Sequence, residues 1–419
     1  MVTDMSTLTF AKPRRGSNIH ATPDRAGRPG GRLLSGPLAL VFLSEFCALT
    51  SFYLLLSVTP MYAAAAGAGS TEAGLVTTVL LLGTVAAELA APVLMRRYGH
   101  WAMLAAGALL LGAPALALLP GGSLAVIVAV SVVRGLGFGL CTVMTGALTA
   151  DLLPPERRGE GLGLFGIVAT APGIAALPGG VWLAGHTGMA TVIVMAAATA
   201  LVPLTVFPWL AARPGGPQAE AASTDGRCPD GLLAGLRQPG QRRPFLIFAA
   251  STVAGGVVVS FLPLATGVAG NVAAAGLLAQ ALTATISRWW AGRRGDRTGH
   301  ARLLAPALAI ASLGMVTMLW LASPAAVLAG MCLFGVGFGI GQNATFALMI
   351  DRMPPRQVGT ASALWNLAYD AGYGAGPALF GLLVAHTGYP AGFALTAALM
   401  LAALPAARRE RSASAARAR

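Results

Sequence analysis

The apolar and polar positions along the chain alternate in long blocks. A helix needs about 20 apolar residues to cross a bilayer. On that measure the sequence predicts twelve spans, at 36–61, 72–95, 101–119, 123–150, 160–185, 188–211, 245–267, 271–292, 302–321, 325–350, 358–385 and 389–407. One long polar stretch interrupts them, RPGGPQAEAASTDGRCPDGLLAGLRQPGQRR, and its Pro, Gly, Ser and charge content marks a linker. The expected organisation is a basic tail at 1–35, a six-span unit at 36–211, a linker at 212–243, a second six-span unit at 244–407 and a basic tail at 408–419. The fold class expected is an all-α membrane protein of two six-helix bundles.

The second unit repeats the first at a constant offset. Gly135-Leu-Gly-Phe-Gly139 returns as Gly335-Val-Gly-Phe-Gly339, and Asp151-Leu-Leu-Pro-Pro155 as Asp351-Arg-Met-Pro-Pro355. Gly99-His100 returns as Gly299-His300, and His186-Thr-Gly188 as His386-Thr-Gly388. A repeat this long is a duplicated half-protein rather than a solenoid unit. Six spans per unit is even, so both halves enter the membrane the same way round and are related by a pseudo-two-fold axis along the membrane normal.

Composition agrees: 56% of the 419 residues are hydrophobic and 10% charged. The formal net charge is +13, but the arginines fall between apolar spans rather than on one basic face, which argues against a nucleic-acid partner and for a lipid bilayer. One set of connections holds Arg96 and Arg97, Arg157 and Arg158, Arg242 and Arg243, Arg293 and Arg294, Arg352 and Arg356, with both basic tails. The opposite connections hold no Lys or Arg. The positive-inside rule then places both termini and the linker in the cytoplasm. The first 35 residues lack an apolar core and read as a cytoplasmic tail rather than a cleaved signal peptide. Arginine far outnumbers lysine, which suggests a bacterial source and hence the bacterial cytoplasmic membrane. Cys47, Cys141, Cys228 and Cys332 form no CxxC pair and have no His at metal spacing, so neither a metal nor a cofactor is expected.

Several motifs resemble those of the major facilitator superfamily over essentially the whole length. Gly292-Arg-Arg-Gly-Asp296-Arg297-Thr-Gly299-His300 is similar to that family's GxxxDRxGR loop, with Arg96-Arg97-Tyr98-Gly99-His100 as its first-half counterpart. The resemblance implies a latch role for Asp296, with Arg297 and its first-half counterpart Arg97 as gating residues or plain positive-inside anchors, while Arg96 stands where the family usually has Asp. Arg134-Gly135-Leu-Gly137-Phe-Gly139 resembles the fourth-helix arginine motif. Pro172-Gly173 and Pro178-Gly179-Gly180 resemble the fifth-helix Gly/Pro motif of members that exchange substrate for protons, which implies hinge or packing roles for Pro172, Gly173, Pro178 and Gly180.

Charges inside the bilayer that break the repeat are the candidates for function, because a charge there costs a few kcal/mol or more and faces a partner or a wet cavity. Glu45 has Phe245 as its counterpart, Arg134 has Phe334, and Asp370 has Thr170. The architecture that the resemblance implies puts spans one, four, seven and ten around a central cavity, so Glu45 and Arg134 would face it or each other. Asp370 sits in Asn366-Leu-Ala-Tyr369-Asp370-Ala-Gly-Tyr373, and Asn366, Asp370 and Tyr373 share a helix face. A carboxyl group whose hydration changes can load and release a proton. Gln342 and Asn343 are candidate cavity hydrogen-bonding groups, or helix–helix glue. Glu88 and its counterpart Arg288 lie near the arginine-rich ends of their spans and are read as a gate or a packing salt bridge.

No GxxxxGK[ST] phosphate loop is present, and all five histidines fall in tails or loops, so neither ATP-driven transport nor a histidine proton relay is expected. The reading is a non-enzymatic secondary transporter working by alternating access as a monomer: proton-coupled export of a small organic compound. The alternatives are a facilitator or importer of sugars or other metabolites, or a receptor or scaffold on a transporter fold.

Overall fold

The computed structural model describes residues 35–153, 157–205, 235–266, 271–354 and 357–417. The N-terminal tail, most of the linker (with Pro217 and Cys228) and Trp209 lie outside the described residues. The described residues form helices, turns and short connections. Nine helices among them are long and apolar enough to cross a membrane. One of these, Gly359–Ser414, holds two spans divided at Gly388, whose φ of 76° breaks the helix. The shorter apolar segment Met189–Thr205 adds one. Asn271–Thr298 adds the twelfth: it is long enough but carries Gln280, Arg288 and a run of terminal arginines.

The spans are α1 (Gly36–Ala65), α2 (Ser70–Tyr98), α3 (His100–Leu118), α4 (Leu124–Leu152), α5 (Arg158–Thr187), α6 (Met189–Thr205), α7 (Pro239–Ala265), α8 (Asn271–Thr298), α9 (His300–Trp320), α10 (Pro324–Asp351), α11 (358–387) and α12 (389–402). A further helix, α13 (Leu404–Arg417), lies where the sequence predicts a tail. Local chemistry starts the helices. Ser35 and Ser323 each cap an N-terminus, with Pro in the first turn, where its missing N–H costs nothing.

The repeated motifs are packing devices. In α4, Gly135, Gly137 and Gly139 lie against the backbones of Leu80, Leu111 and Thr84. In α10, Gly335, Gly337 and Gly339 lie against those of Gln280, Ala311 and Ala284. Every contact is reproduced at the same offset of 200, so the duplication is structural as well as textual. A side chain at any of the six would collide with backbone. The loop motifs are also explained: Gly99, Gly299, Gly188 and Gly388 all have φ between 76° and 88°, a conformation that favours glycine, and each ends one helix so that the next can start.

The two bundles meet along a seam. Ser70 donates to the carbonyl of Gly381 at 3.0 Å, Thr78 to that of Gly374 at 2.7 Å, and Thr77 and Ser260 share a hydrogen bond of 2.9 Å. Gly74 lies against the carbonyl of Pro377. All these contacts sit in the halves of α2, α7 and α11 nearest the arginine-free connections. The seam is therefore sealed at that end.

At the opposite end α13 is stapled to the second bundle. Glu410, 2% exposed, pairs with Arg352 and lies 3.9 Å from Arg243. Arg352 also donates to the carbonyl of Gly240 at 2.7 Å. In the first half Leu152 stands at the position of Arg352, so this clasp belongs to the second bundle alone.

Gly339→Ala should lower the thermal melting point of the detergent-purified protein, at a cost of about 1–3 kcal/mol from overpacking. Gly341→Ala, two residues on, where an added methyl meets nothing within 4 Å, should leave it unchanged.

Candidate functional site

Between the bundles, on the arginine-rich side of the seam, lies a cavity of about 220 Å³. α11 forms one wall. Its Trp365, Tyr369 and Tyr373 recur every fourth residue and line one face. The rings of Tyr369 and Tyr373 stack at 5.2 Å, nearly parallel at 8°, and Trp365 is 5.9 Å from Tyr369. Phe248 of α7 stacks on Trp365 at 4.5 Å, and Phe338 of α10 completes the aromatic wall. The facing wall, α5, presents Ala169 and Gly173, the repeat counterparts of Tyr369 and Tyr373. Ile174 and Leu177 of α5 line the same space, so the two sides differ in bulk at these two positions rather than along their whole length. Tyr53 of α1 enters beside Gly173, where an added Cβ would meet its ring at 3.3 Å.

The polar groups of the cavity have few partners within the protein. Arg288 of α8 donates to Thr170 of α5 across the bundle interface at 3.2 Å and forms no ion pair among the described residues. Gln280 and Gln342 line the same space, and their side-chain amides have no hydrogen-bond partner among the described residues. Gln342 is only 9% exposed. Asn343, one residue on and a third of a turn round, points away. It packs on Gly292 of α8, and its Oδ1 is buried without a partner among the described residues.

Glu45 and Arg134 are both buried, neither lines this cavity, and they do not pair with each other. Thr145 donates to Glu45 Oε2 at 2.5 Å. In the second half the counterpart Thr345 instead accepts from Trp365 Nε1 at 3.1 Å, because Phe245 replaces the glutamate. Arg134 braces three helices: Nη1 donates to the carbonyl of Leu111 in α3 at 2.6 Å and Nη2 to that of Ser51 in α1 at 3.1 Å. A 3₁₀ turn containing Pro114, which has no N–H, begins just after Leu111, so the helix end can spare an acceptor there. Phe334 fills the counterpart position as a buried ring.

Asp370 lies beside the aromatic stripe, half-buried and without a hydrogen bond among the described residues. The charge of Glu88, on α2 of the other bundle, acts on it, and both Asp370 and Arg288 act on Tyr53 and Tyr369. Asn366 is exposed and stands outside the cavity lining. Arg97 and Arg297 are exposed; Arg97 lies over the ring of Tyr98 at 5.2 Å. Asp296 is exposed near the end of α8 and sits 3.7 Å from His300 at the start of α9. Pro172 and Pro178 lie within an unbroken α5, and Gly180 lets α5 approach the carbonyl of Leu54 in α1.

Sequence reasoning passed over Tyr53, Thr170, Gln280, Phe338 and Trp365. The spacing of Trp365, Tyr369 and Tyr373, opposite Ala169 and Gly173 at repeat-equivalent positions, was the available signal.

Arg134→Ala should destabilise the protein by about 2–5 kcal/mol, through a large buried cavity and the loss of the brace, and melt several degrees lower. Glu45→Gln keeps the shape and an acceptor for Thr145, so it should stay folded. Thermal melting in detergent reads both.

The sequence matches the family model described as Major Facilitator Superfamily over residues 41–377. A "Tetracenomycin C resistance and export protein" from Streptomyces glaucescens is 30% identical over 125 residues, which is 30% of this chain and 23% of that relative's own length. Among solved structures, a peptide transporter in complex with sulfate aligns with a TM-score of 0.72 at 15% identity, covering 92% of this chain and 95% of that one. A bacterial homologue of the human lysosomal transporter Spinster, in an inward-facing and unoccupied conformation, aligns at 0.70 and 16%, covering 91% and 94%. These structures share the fold, and the family match decides membership: this multi-pass membrane protein belongs to the Major Facilitator Superfamily.

Proposed function

We propose that the protein is a proton-coupled exporter of a small organic compound, working by alternating access in the bacterial cytoplasmic membrane with both termini in the cytoplasm. The observation that carries this reading is the pairing of a sealed seam with a cavity on its arginine-rich side. Ser70, Thr77 and Thr78 close one end, while the aromatic and amide-lined space lies between that closure and the other end. With the arginine-rich loops in the cytoplasm, this is the state that would load substrate from inside. The likeness to a protein named for export supports the direction.

Asp370 carries the proton in this reading. It is a lone carboxyl group beside the cavity, with no hydrogen bond among the described residues and with Glu88 acting on it from the opposite bundle. Rocking the bundles changes the distance between these two groups and the hydration of both, and therefore their proton affinity. Proton and substrate then bias one two-state equilibrium.

Asp370→Asn should keep substrate binding and exchange but lose accumulation driven by a pH gradient in proteoliposomes. Uphill movement by that variant under a proton gradient would remove Asp370 from the coupling role.

A further inference from the structure

We propose that the cavity between the bundles takes a flat aromatic compound that carries hydrogen-bond-accepting oxygens, such as ring carbonyls, along one edge; this rests on the reading of the protein as an exporter of small organic compounds. The shape argument comes from the unequal walls. Trp365, Tyr369 and Tyr373 line one side of the cavity, with Phe338 and Tyr53 beside them, and the small residues Ala169 and Gly173 stand on the α5 side. Aromatic rings stack favourably at centroid separations of about 4.5–7 Å, so a planar ligand gains on that wall what an aliphatic one of the same size does not. A dry cavity of about 150 Å³ holds one benzene. The present 220 Å³ therefore admits a substituted or two-ring system.

The acceptor argument comes from the polar lining. Arginine offers five N–H donors and no acceptor. Arg288 spends one of them on Thr170. Gln342, nine-tenths buried, and Gln280 add amide N–H groups without partners, and the hydroxyl groups of Tyr53, Tyr369 and Tyr373 have none either among the described residues. Arg288 can only donate, and the amides and hydroxyls beside it can donate as well, so a ligand edge bearing acceptors matches all of them at once. A cationic ligand would meet Arg288 directly.

Three matched probes separate the terms: 2-acetylnaphthalene, 2-ethylnaphthalene without the acceptor, and 2-acetyldecalin without the aromatic rings. Saturable binding to the purified full-length protein should be at least tenfold tighter for acetylnaphthalene than for either of the others. Arg288→Met should bring the acetyl-to-ethyl ratio close to one, Gln342→Leu should reduce it, and Trp365→Leu should remove the preference for naphthalene over decalin. Equal binding of the three probes by the wild type, no binding of acetylnaphthalene up to millimolar concentration, or an unchanged ratio in folded Arg288→Met would overturn the proposal. Vesicle flux separates it from the reading beneath it. Proton-driven flux of aliphatic or acceptor-free compounds alone sinks the ligand class and leaves the exporter. Tight acetylnaphthalene binding without proton-driven flux of any aromatic ketone sinks the exporter and leaves the ligand class.

Discussion

Helices in a bilayer gain nothing from burying leucines against one another, because lipid tails are as apolar as leucine; they associate where their backbones come close. In this chain that approach occurs at the paired Gly-x-Gly-x-Gly stretches of α4 and α10. Each glycine row seats two neighbouring helices, α2 and α3 in the first bundle and α8 and α9 in the second. The rest follows from that seating. It fixes α2 and α8 as the helices that carry Glu88 and Arg288, and it leaves α5 and α11 to complete the contact between the halves.

The seam is held differently. Hydroxyl groups on α2 and α5 meet backbone carbonyls or single polar groups of the other half, as in Thr78 with Gly374 and Thr170 with Arg288. Such bonds are worth about 0.6 kcal/mol each in membrane bundles. A few of them make a joint that can open without disturbing the glycine-packed interior of either bundle. The clasp formed by Glu410 and Arg352 adds rigidity to the second bundle at the end where the seam is not sealed.

Much of this was written in the sequence because a membrane helix is long and uniform and because the duplication compares the chain with itself. The shared glycines fell on scaffold. Charges without a counterpart, Glu45, Arg134 and Asp370, were visible as oddities, yet oddity did not say which way they face. Arg134 turned inward to the backbone of α1 and α3, and Glu45 to Thr145. Gln342 faces the cavity while its neighbour Asn343 does not, a difference of about 100° of helix rotation that spacing alone cannot assign. Arg288 read as an end-of-span gate because its depth was judged from chain position, whereas it lines the cavity wall and reaches Thr170 of α5.

The central claim is that the two bundles rock about this seam, opening one end as the other closes. Spin labels in a cysteine-free protein measure it directly, one pair at Leu162 and Arg294 on the arginine-rich end and another at Glu72 and Ala385 on the sealed end. Double electron–electron resonance across a proton titration, with and without substrate, should show the two distances changing in opposite senses. Two distances that lengthen together, or that stay fixed under every proton and substrate condition, would contradict it.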